Sequence, residues 1–101
     1  ETYDFVFMDS AKSKYIVFLP KILKRLEVGG VVVLDDIFQG GDVAKDIMEV
    51  RRGQRTIYRG LQRLFDATLD NPGLTATLVP LGDGILMLRK NVADVQLPES
   101  E

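Results

Sequence analysis

Apolar residues along the chain are spaced in two ways, and each spacing predicts one kind of element. The runs 3–9 and 31–36 are β-branched or aromatic and apolar at nearly every position, which is typical of strands covered on both faces. From Lys14 to Leu26, apolar residues recur at intervals of three and four, so this segment is predicted to be an amphipathic helix. Strand, helix and strand over about 30 residues form a βαβ unit with parallel strands.

Proline and glycine set the expected limits of that helix. Pro20 removes one helical hydrogen bond, so we expect the regular helix to begin near Ile16 or Val17, with Pro20 close to its first turn. The sequence "VGG" follows the helix. We expect its glycines to end the helix as a left-handed cap.

The second half of the chain predicts a helix and a hairpin. Apolar residues at helical spacing run from Thr56 to about Leu69, where "DNPG" ends the pattern. Two alternating segments then flank "GDG", which predicts two antiparallel strands joined by a turn. The sequence therefore indicates an α/β unit over residues 1–93, with parallel strands and a C-terminal hairpin. Residues 94–101 are expected to form a polar, frayed tail.

Composition narrows the possible chemistry. The chain of 101 residues is 46% hydrophobic and 28% charged, with a net charge of -2, no cysteine and no histidine. Catalysis would thus depend on carboxylates, lysine, tyrosine or a bound ion. The apolar runs are shorter than the roughly 20 residues that span a bilayer, so we expect a cytoplasmic protein without membrane association. The start at Glu1, directly before a strand, suggests part of a longer protein.

Three aspartates follow the two predicted parallel strands. Asp9 follows the first strand, and Asp35 and Asp36 follow the second. The carboxyl ends of neighbouring parallel strands lie about 4.8 Å apart at one edge of the sheet. Three close anions repel one another unless a cation compensates them, and Mg²⁺ prefers such oxygen ligands. Lys12 would lie over the same pocket, although each aspartate could instead cap a helix or face solvent.

Several segments together resemble one enzyme family. "YDFVFMDSAKSKY", "GGVVVLDD" and "NPGLTATLVPLGDGILMLRK" resemble the metal-dependent class I S-adenosylmethionine (SAM) O-methyltransferases, which include catechol and caffeoyl-CoA methyltransferases and their bacterial relatives. The resemblance covers residues 3–91. It implies the C-terminal half of a Rossmann-like methyltransferase domain, with its last four strands. It also implies SAM and a divalent metal, expected to be Mg²⁺, as cofactors, and a homodimer.

The resemblance also implies roles for individual residues. Lys12 matches the lysine proposed to deprotonate the acceptor hydroxyl. Asp9 matches a metal ligand that lies near the methyl donor, and Asp35 and Asp36 match the Asp-Asn pair that completes the metal site. The positions implied at the cofactor are Asp9, Ala11 and Tyr15.

Two departures from the family pattern limit these expectations. Asp36 stands where the family usually has asparagine, which adds one negative charge to the site. The glycine-rich loop and the acidic ribose-binding residue of the family have no counterpart in the 101 residues. We therefore expect the parent protein to be an enzyme and this chain alone to bind SAM weakly and to be inactive.

The acceptor and two other classes of protein stay open at this point. The resemblance implies a small phenolic or catechol-like hydroxyl or a hydroxyuridine in tRNA. Arginines at 51, 52, 55, 59 and 63 would contact RNA phosphates, or form a solvated face beside Glu49 and Asp66. A Mg²⁺-binding phosphoacceptor receiver domain also gathers acids and a lysine at strand ends. A non-catalytic module could instead pair another chain with an exposed sheet edge.

Overall fold

A computed structural model describes residues 1–9 and 11–98 of the chain. Short 3-10 segments lie at Lys12–Lys14, Gln39–Ala44, Ile47–Glu49 and Arg52–Gln54. The longer elements, in chain order, are β1 (Tyr3–Met8), α1 (Tyr15–Arg25), β2 (Leu26–Asp35), α2 (Arg55–Thr68), β3 (Leu74–Val79) and β4 (Ile85–Lys90).

The four strands form one mixed sheet in the order β1-β2-β4-β3. β1 runs parallel to β2, with Phe7 opposite Val33 and Met8 opposite Leu34. β4 lies antiparallel to both β2 and β3. The parallel pair and the C-terminal hairpin predicted from the sequence are both confirmed, and the fold is α/β.

Both long helices pack on the same face of the sheet. The apolar stripe of α1 and that of α2 meet the inward-facing residues of β1, β2 and β4 in a single core. This packing follows from the spacing of apolar residues by three and four in the helices and by two in the strands. The fully buried members of the core include Leu19, Val32, Leu34, Leu61, Leu64, Leu86 and Leu88.

The other face of the sheet is largely uncovered. β1 was predicted to be covered on both faces, and this was wrong, because no described element packs against its outer side. Phe5 is 58% exposed, Phe7 55% and Met87 37%. On β2, Val31 is paired with Phe5, and Val33 is paired with Phe7 on one side and Met87 on the other. Both valines are half-buried. We call these five side chains the outer face. Beside it, the free edge of β1 offers unpaired backbone groups.

The limits of α1 differ from those expected. The helix begins at Tyr15, so Pro20 lies inside it rather than in its first turn. The glycines of "VGG" do not cap it, because the helix ends at Arg25 and the following residue is already extended. Gly29, with φ of 89°, instead lies in β2, within the segment where the β1–β2 register shifts. Gly29 therefore supplies the positive φ at the irregular part of β2 rather than a helix cap.

A buried lysine ends α1 in place of the expected glycine cap. Lys90 is only 4% exposed, and its Nζ donates to the carbonyl oxygens of Leu23 (2.6 Å) and Leu26 (2.7 Å). The last carbonyls of a helix lack intrahelical donors, and a cation near that end is favourable. Lys90 therefore ties the end of β4 to the end of α1.

The C-terminal segment is packed, which differs from the frayed tail expected after Asp94. Val95 and Leu97 contact the core, and the Asn71 Nδ2 donates to the Gln96 carbonyl (2.7 Å). Residues 99–101 of the expected tail lie outside the described residues. In the part of the chain that the structure describes, no helix is long and apolar enough to span a membrane.

Replacing Lys90 with methionine tests the lysine cap. Lys90→Met keeps the aliphatic stem but leaves two carbonyls without their donor. We therefore expect the free energy of unfolding, measured in urea, to fall by about 1–3 kcal/mol. Lys24→Met, at an exposed position of α1, is the matched control and should change stability little. Equal stability of the two variants would rule out a specific role for the cap.

Candidate metal and acceptor site

The parallel pairing of β1 with β2 brings three carboxylates together. Met8 and Leu34 are opposite each other at the carboxyl ends of these strands, so the residues that follow leave the sheet side by side. Carboxylate oxygens of Asp9, Asp35 and Asp36 lie within 4.8 Å of one another. Asp9 is exposed and the other two are half-buried. The convergence predicted from the sequence is therefore confirmed.

Tyr15 holds the two strand ends in place. Its side chain is fully buried, and its hydroxyl lies 3.0 Å from the Asp35 carbonyl oxygen and 3.3 Å from that of Met8. The first residue of α1 thereby bridges the ends of β1 and β2. This role was missed in the sequence, where a tyrosine at helical spacing indicates only a core residue. The contact between Tyr15 and a cofactor stays a prediction.

The backbone at Asp36 adopts a left-handed conformation. Its φ is 56°, and its N–H donates to the Asp35 Oδ1 (2.9 Å). Residues other than glycine, asparagine and aspartate rarely adopt this left-handed region. For those other residues the strain costs on the order of 1–3 kcal/mol. The conformation gives a physical reason for Asp or Asn at this position, apart from any ligand.

Three oxygen atoms in this arrangement suit a hard divalent ion. Ligands on opposite sides of Mg²⁺ lie about 4.2 Å apart, and those of Ca²⁺ somewhat further. Oxygens within 4.8 Å of one another therefore need only small side-chain adjustments to share one ion. The donor set fits a metal site of three carboxylates completed by water or by an acceptor oxygen.

Lys12 lies three residues after Asp9 in the sequence and borders a polar cleft. The side chain is half-buried in the segment Lys12–Lys14. The cleft has a volume of about 310 Å³, and its other lining residues are Gln39, Asp42, Arg51, Gln54, Ile57 and Asp83. Ala11 is exposed, and its carbonyl accepts a hydrogen bond from the Lys14 N–H (2.9 Å). The implied contact of Ala11 with adenine stays a prediction.

Gln39 is a polar feature of this cleft that the sequence did not reveal. Its backbone is also left-handed, with φ of 54°, and its Nε2 donates to the Gln54 carbonyl (2.9 Å). Its buried Oε1 has no hydrogen-bond partner among the described residues. Only the tertiary contact between the loop after β2 and the start of α2 places this amide in the cleft.

The arginines near α2 divide into two groups. Arg55 is half-buried, and its Nε donates to the Val50 carbonyl (2.9 Å), which secures the start of α2. The other four are exposed, and none forms an ion pair within residues 1–9 and 11–98. We call these four the arginine surface: Arg51, Arg52, Arg59 and Arg63.

Comparisons with known proteins agree with this geometry. A sequence-family model described as O-methyltransferase matches residues 1–91. The probable caffeoyl-CoA O-methyltransferase 1 of Dictyostelium discoideum is 34% identical over 89 residues, which are 88% of this chain and 37% of that protein. A Staphylococcus aureus structure assigned to the caffeoyl-CoA O-methyltransferases is 28% identical with a TM-score of 0.78, and the match covers 90% of this chain and 44% of that one.

The fold and the family follow from these matches. The O-methyltransferase TomG of Streptomyces achromogenes, solved in complex with SAM, has the same fold, with a TM-score of 0.76 at 23% identity over 90% of this chain and 41% of TomG. The four strands and their helices are thus part of a Rossmann-like methyltransferase fold. The chain belongs to the O-methyltransferase family. It spans less than half the length of each of these three proteins.

The structure also bears on the receiver-domain alternative. Doubly wound receiver sheets are built from parallel strands, whereas β4 lies antiparallel between β2 and β3. The hairpin and the family match together favour the methyltransferase interpretation over the receiver.

Two substitutions at Asp36 separate backbone strain from charge. Asp36→Asn and Asp36→Ala both remove one negative charge, but only asparagine tolerates the left-handed backbone well. We expect the alanine variant to be less stable than the asparagine variant by about 1–2 kcal/mol in urea unfolding with chelator present. An alanine variant as stable as the asparagine variant would contradict the strained conformation.

Proposed function

We propose that this chain supplies the metal and acceptor side of a SAM-dependent O-methyltransferase. The convergence of Asp9, Asp35 and Asp36 within 4.8 Å at the ends of two parallel strands, in a chain of this family, carries the proposal. The TomG structure contains SAM, and this supports SAM as the methyl donor. The reaction would form an oxygen–carbon bond, break the sulfonium–methyl bond and leave S-adenosylhomocysteine.

Each residue of the site has a part in this proposal. Asp9, Asp35 and Asp36 would hold a divalent ion, expected to be Mg²⁺, through carboxylate oxygens. The bound ion would supply Lewis acidity toward the acceptor hydroxyl. Lys12, three residues after Asp9, would take up the hydroxyl proton at its Nζ. The strand ends fixed by Tyr15 would keep the carboxylates in place, so that the acceptor is oriented toward the methyl group.

A small phenolic or catechol-like molecule is the acceptor that we favour. The cleft beside Lys12 has a volume of about 310 Å³, which is at the lower end of the range for small-molecule pockets. The named caffeoyl-CoA relative supports a phenolic acceptor. The extra charge of Asp36, compared with asparagine, would strengthen attraction for a divalent ion and alter the preference among metals.

The donor side of the site would come from elsewhere in a complete enzyme. The outer face, Phe5, Phe7, Val31, Val33 and Met87, is apolar and lies beside the free edge of β1. Apolar surface of this kind next to an unpaired strand favours contact with further protein. We propose that this contact completes the SAM pocket and that the chain alone is inactive. A homodimer, implied by the resemblance, and a cytoplasmic location, expected from the short apolar runs, stay predictions.

RNA is a second acceptor that the arginine surface favours. Arg59 and Arg63 are one helical turn apart on α2, so their guanidinium groups share a face. Arg51 lines the same cleft as Lys12, the residue that we propose as the base. We propose that a phosphate backbone binds this arginine surface while a hydroxyuridine enters the cleft at Arg51.

Titration with Mn²⁺ and with SAM tests the division of the site. We expect the chain to bind one Mn²⁺, seen as loss of the free-ion signal in electron paramagnetic resonance. The glycine-rich loop that binds SAM in the family has no counterpart in these 101 residues. We therefore expect a Kd for SAM above about 1 mM in calorimetry. Asp35→Asn should lower Mn²⁺ affinity by about 10-fold or more, since it removes an anionic ligand.

The control for this titration is Asp70→Asn, at an exposed position beyond α2. It makes the same change of charge away from the strand ends and should bind Mn²⁺ like the unaltered chain. Failure of the unaltered chain to bind Mn²⁺ would contradict the proposed metal site. Tight SAM binding by the chain alone would contradict the division into donor and acceptor sides.

A paired substitution tests RNA as the acceptor. Arg59→Gln with Arg63→Gln should weaken tRNA binding by about 10-fold at low salt and reduce the salt dependence, because two phosphate contacts are lost. Arg25→Gln with Arg89→Gln changes the same charge at two other exposed positions. Equal weakening by both pairs in fluorescence polarisation, or no binding by the unaltered chain, would argue against the RNA proposal.

A further inference from the structure

The loop after β2 has positive φ at several positions, and two of them, Asp36 and Gln39, are not glycine. Besides Asp36, the backbone has positive φ at Gln39 (54°), Gly40 (62°) and Gly41 (96°). A non-glycine residue in this region persists only where surrounding contacts determine the conformation. The loop carries Asp36 toward the site and Gln39 into the cleft, so the contacts that hold it also set the geometry of both.

Those contacts come mainly from the turn between β3 and β4. The Ile37 N–H donates to the Gly84 carbonyl (3.2 Å), and the Phe38 N–H donates to the Asp83 carbonyl (2.8 Å). The Asp83 carboxylate accepts a further bond from the Gly40 N–H, at 2.9 Å for Oδ1 and 3.1 Å for Oδ2. Two successive residues of the turn therefore hold three amides of the loop.

Packing adds a steric constraint to these hydrogen bonds. The Phe38 ring lies against Gly84, and a Cβ at position 84 would overlap that ring. Gly84 also has a positive φ, 88°. The turn sequence "GDG" thus combines a close approach of backbone to ring with an acidic side chain directed at the loop.

We infer that Asp83 is a positioning residue for the metal site: its carboxylate fixes the loop that presents Asp36. Asp83 is not itself one of the three clustered carboxylates. Its carboxylate holds the Gly40 amide, and the carbonyls of Asp83 and Gly84 hold the Phe38 and Ile37 amides between Gly40 and Asp36. A charge-assisted bond to a backbone N–H is stronger than a neutral one, which suits an anchor for a strained loop. This inference depends on the proposed metal function of Asp36.

Two substitutions at Asp83 separate its hydrogen bond from its charge. Asp83→Asn removes the charge but keeps an oxygen that can accept the Gly40 N–H, whereas Asp83→Ala removes both. We expect Mn²⁺ affinity to fall by about 10-fold in the alanine variant, as for other residues that orient metal ligands, and by less than about 2-fold in the asparagine variant. Asp70→Ala is the control for loss of a distant carboxylate.

Amide hydrogen exchange gives a second readout on the same variants. The Ile37 and Phe38 amides should exchange faster in Asp83→Ala than in Asp83→Asn, while the amides of β1 keep their protection. If the alanine variant does not fold, Asp83→Ser takes its place, because the shorter hydroxyl cannot reproduce the paired contact with Gly40. A purely structural role would lower stability without separating alanine from asparagine in Mn²⁺ affinity.

The outcomes distinguish this inference from the proposed function. Absence of Mn²⁺ binding in the unaltered chain would contradict the metal site itself. Mn²⁺ binding that is equal in the unaltered chain, Asp83→Asn and Asp83→Ala would leave the metal site standing and overturn the role of Asp83. Unchanged exchange at Ile37 and Phe38 would overturn it as well.

Discussion

The parallel pairing of β1 with β2 is the constraint on which the site depends. Parallel strands end at the same edge, so acids that follow two such strands leave the sheet together whatever the rest of the chain does. The register places Met8 beside Leu34, and the buried Tyr15 hydroxyl lies against the last carbonyls of both strands. A shift of one residue would turn the inward side chains outward and carry the carboxylates apart.

The sequence predicted the elements and the convergence of acids because both depend on local patterns. Apolar spacing identified β1, α1 and β2, and the βαβ connection then required parallel strands. The end of α1 was not predictable in this way. Lys90 is 67 residues away from Leu23, whose carbonyl it caps, and a lysine at the end of an alternating strand reads as a solvated residue. The glycines that follow the helix in the sequence predicted a glycine cap, and that prediction was wrong.

The sequence of β1 also explains why its exposure was mispredicted. Apolar residues at successive positions are typical of a strand with protein on both sides, and periodicity does not specify which protein. In this chain α1 and α2 cover one side, which leaves Phe5 and Phe7 more than half exposed. The pattern therefore identified a strand correctly, but it did not predict the exposure of its outer side chains within the described residues. The conformation of the loop after β2 was even harder to predict from the sequence, since the positive φ at Asp36 and Gln39 arises from tertiary contacts.

The antiparallel direction of β4 explains how the hairpin reaches the site. Asp35 at the carboxyl end of β2 is opposite Ile85 at the start of β4. The turn that precedes an antiparallel neighbour must therefore lie at the carboxylate edge of the sheet, whereas the turn before a parallel neighbour would lie at the opposite edge. Reversal of chain direction at the last strands brings Asp83 within hydrogen-bond distance of the loop after β2. The same pairing that extends the sheet thereby supplies a rigid support for residues that cannot hold their conformation alone.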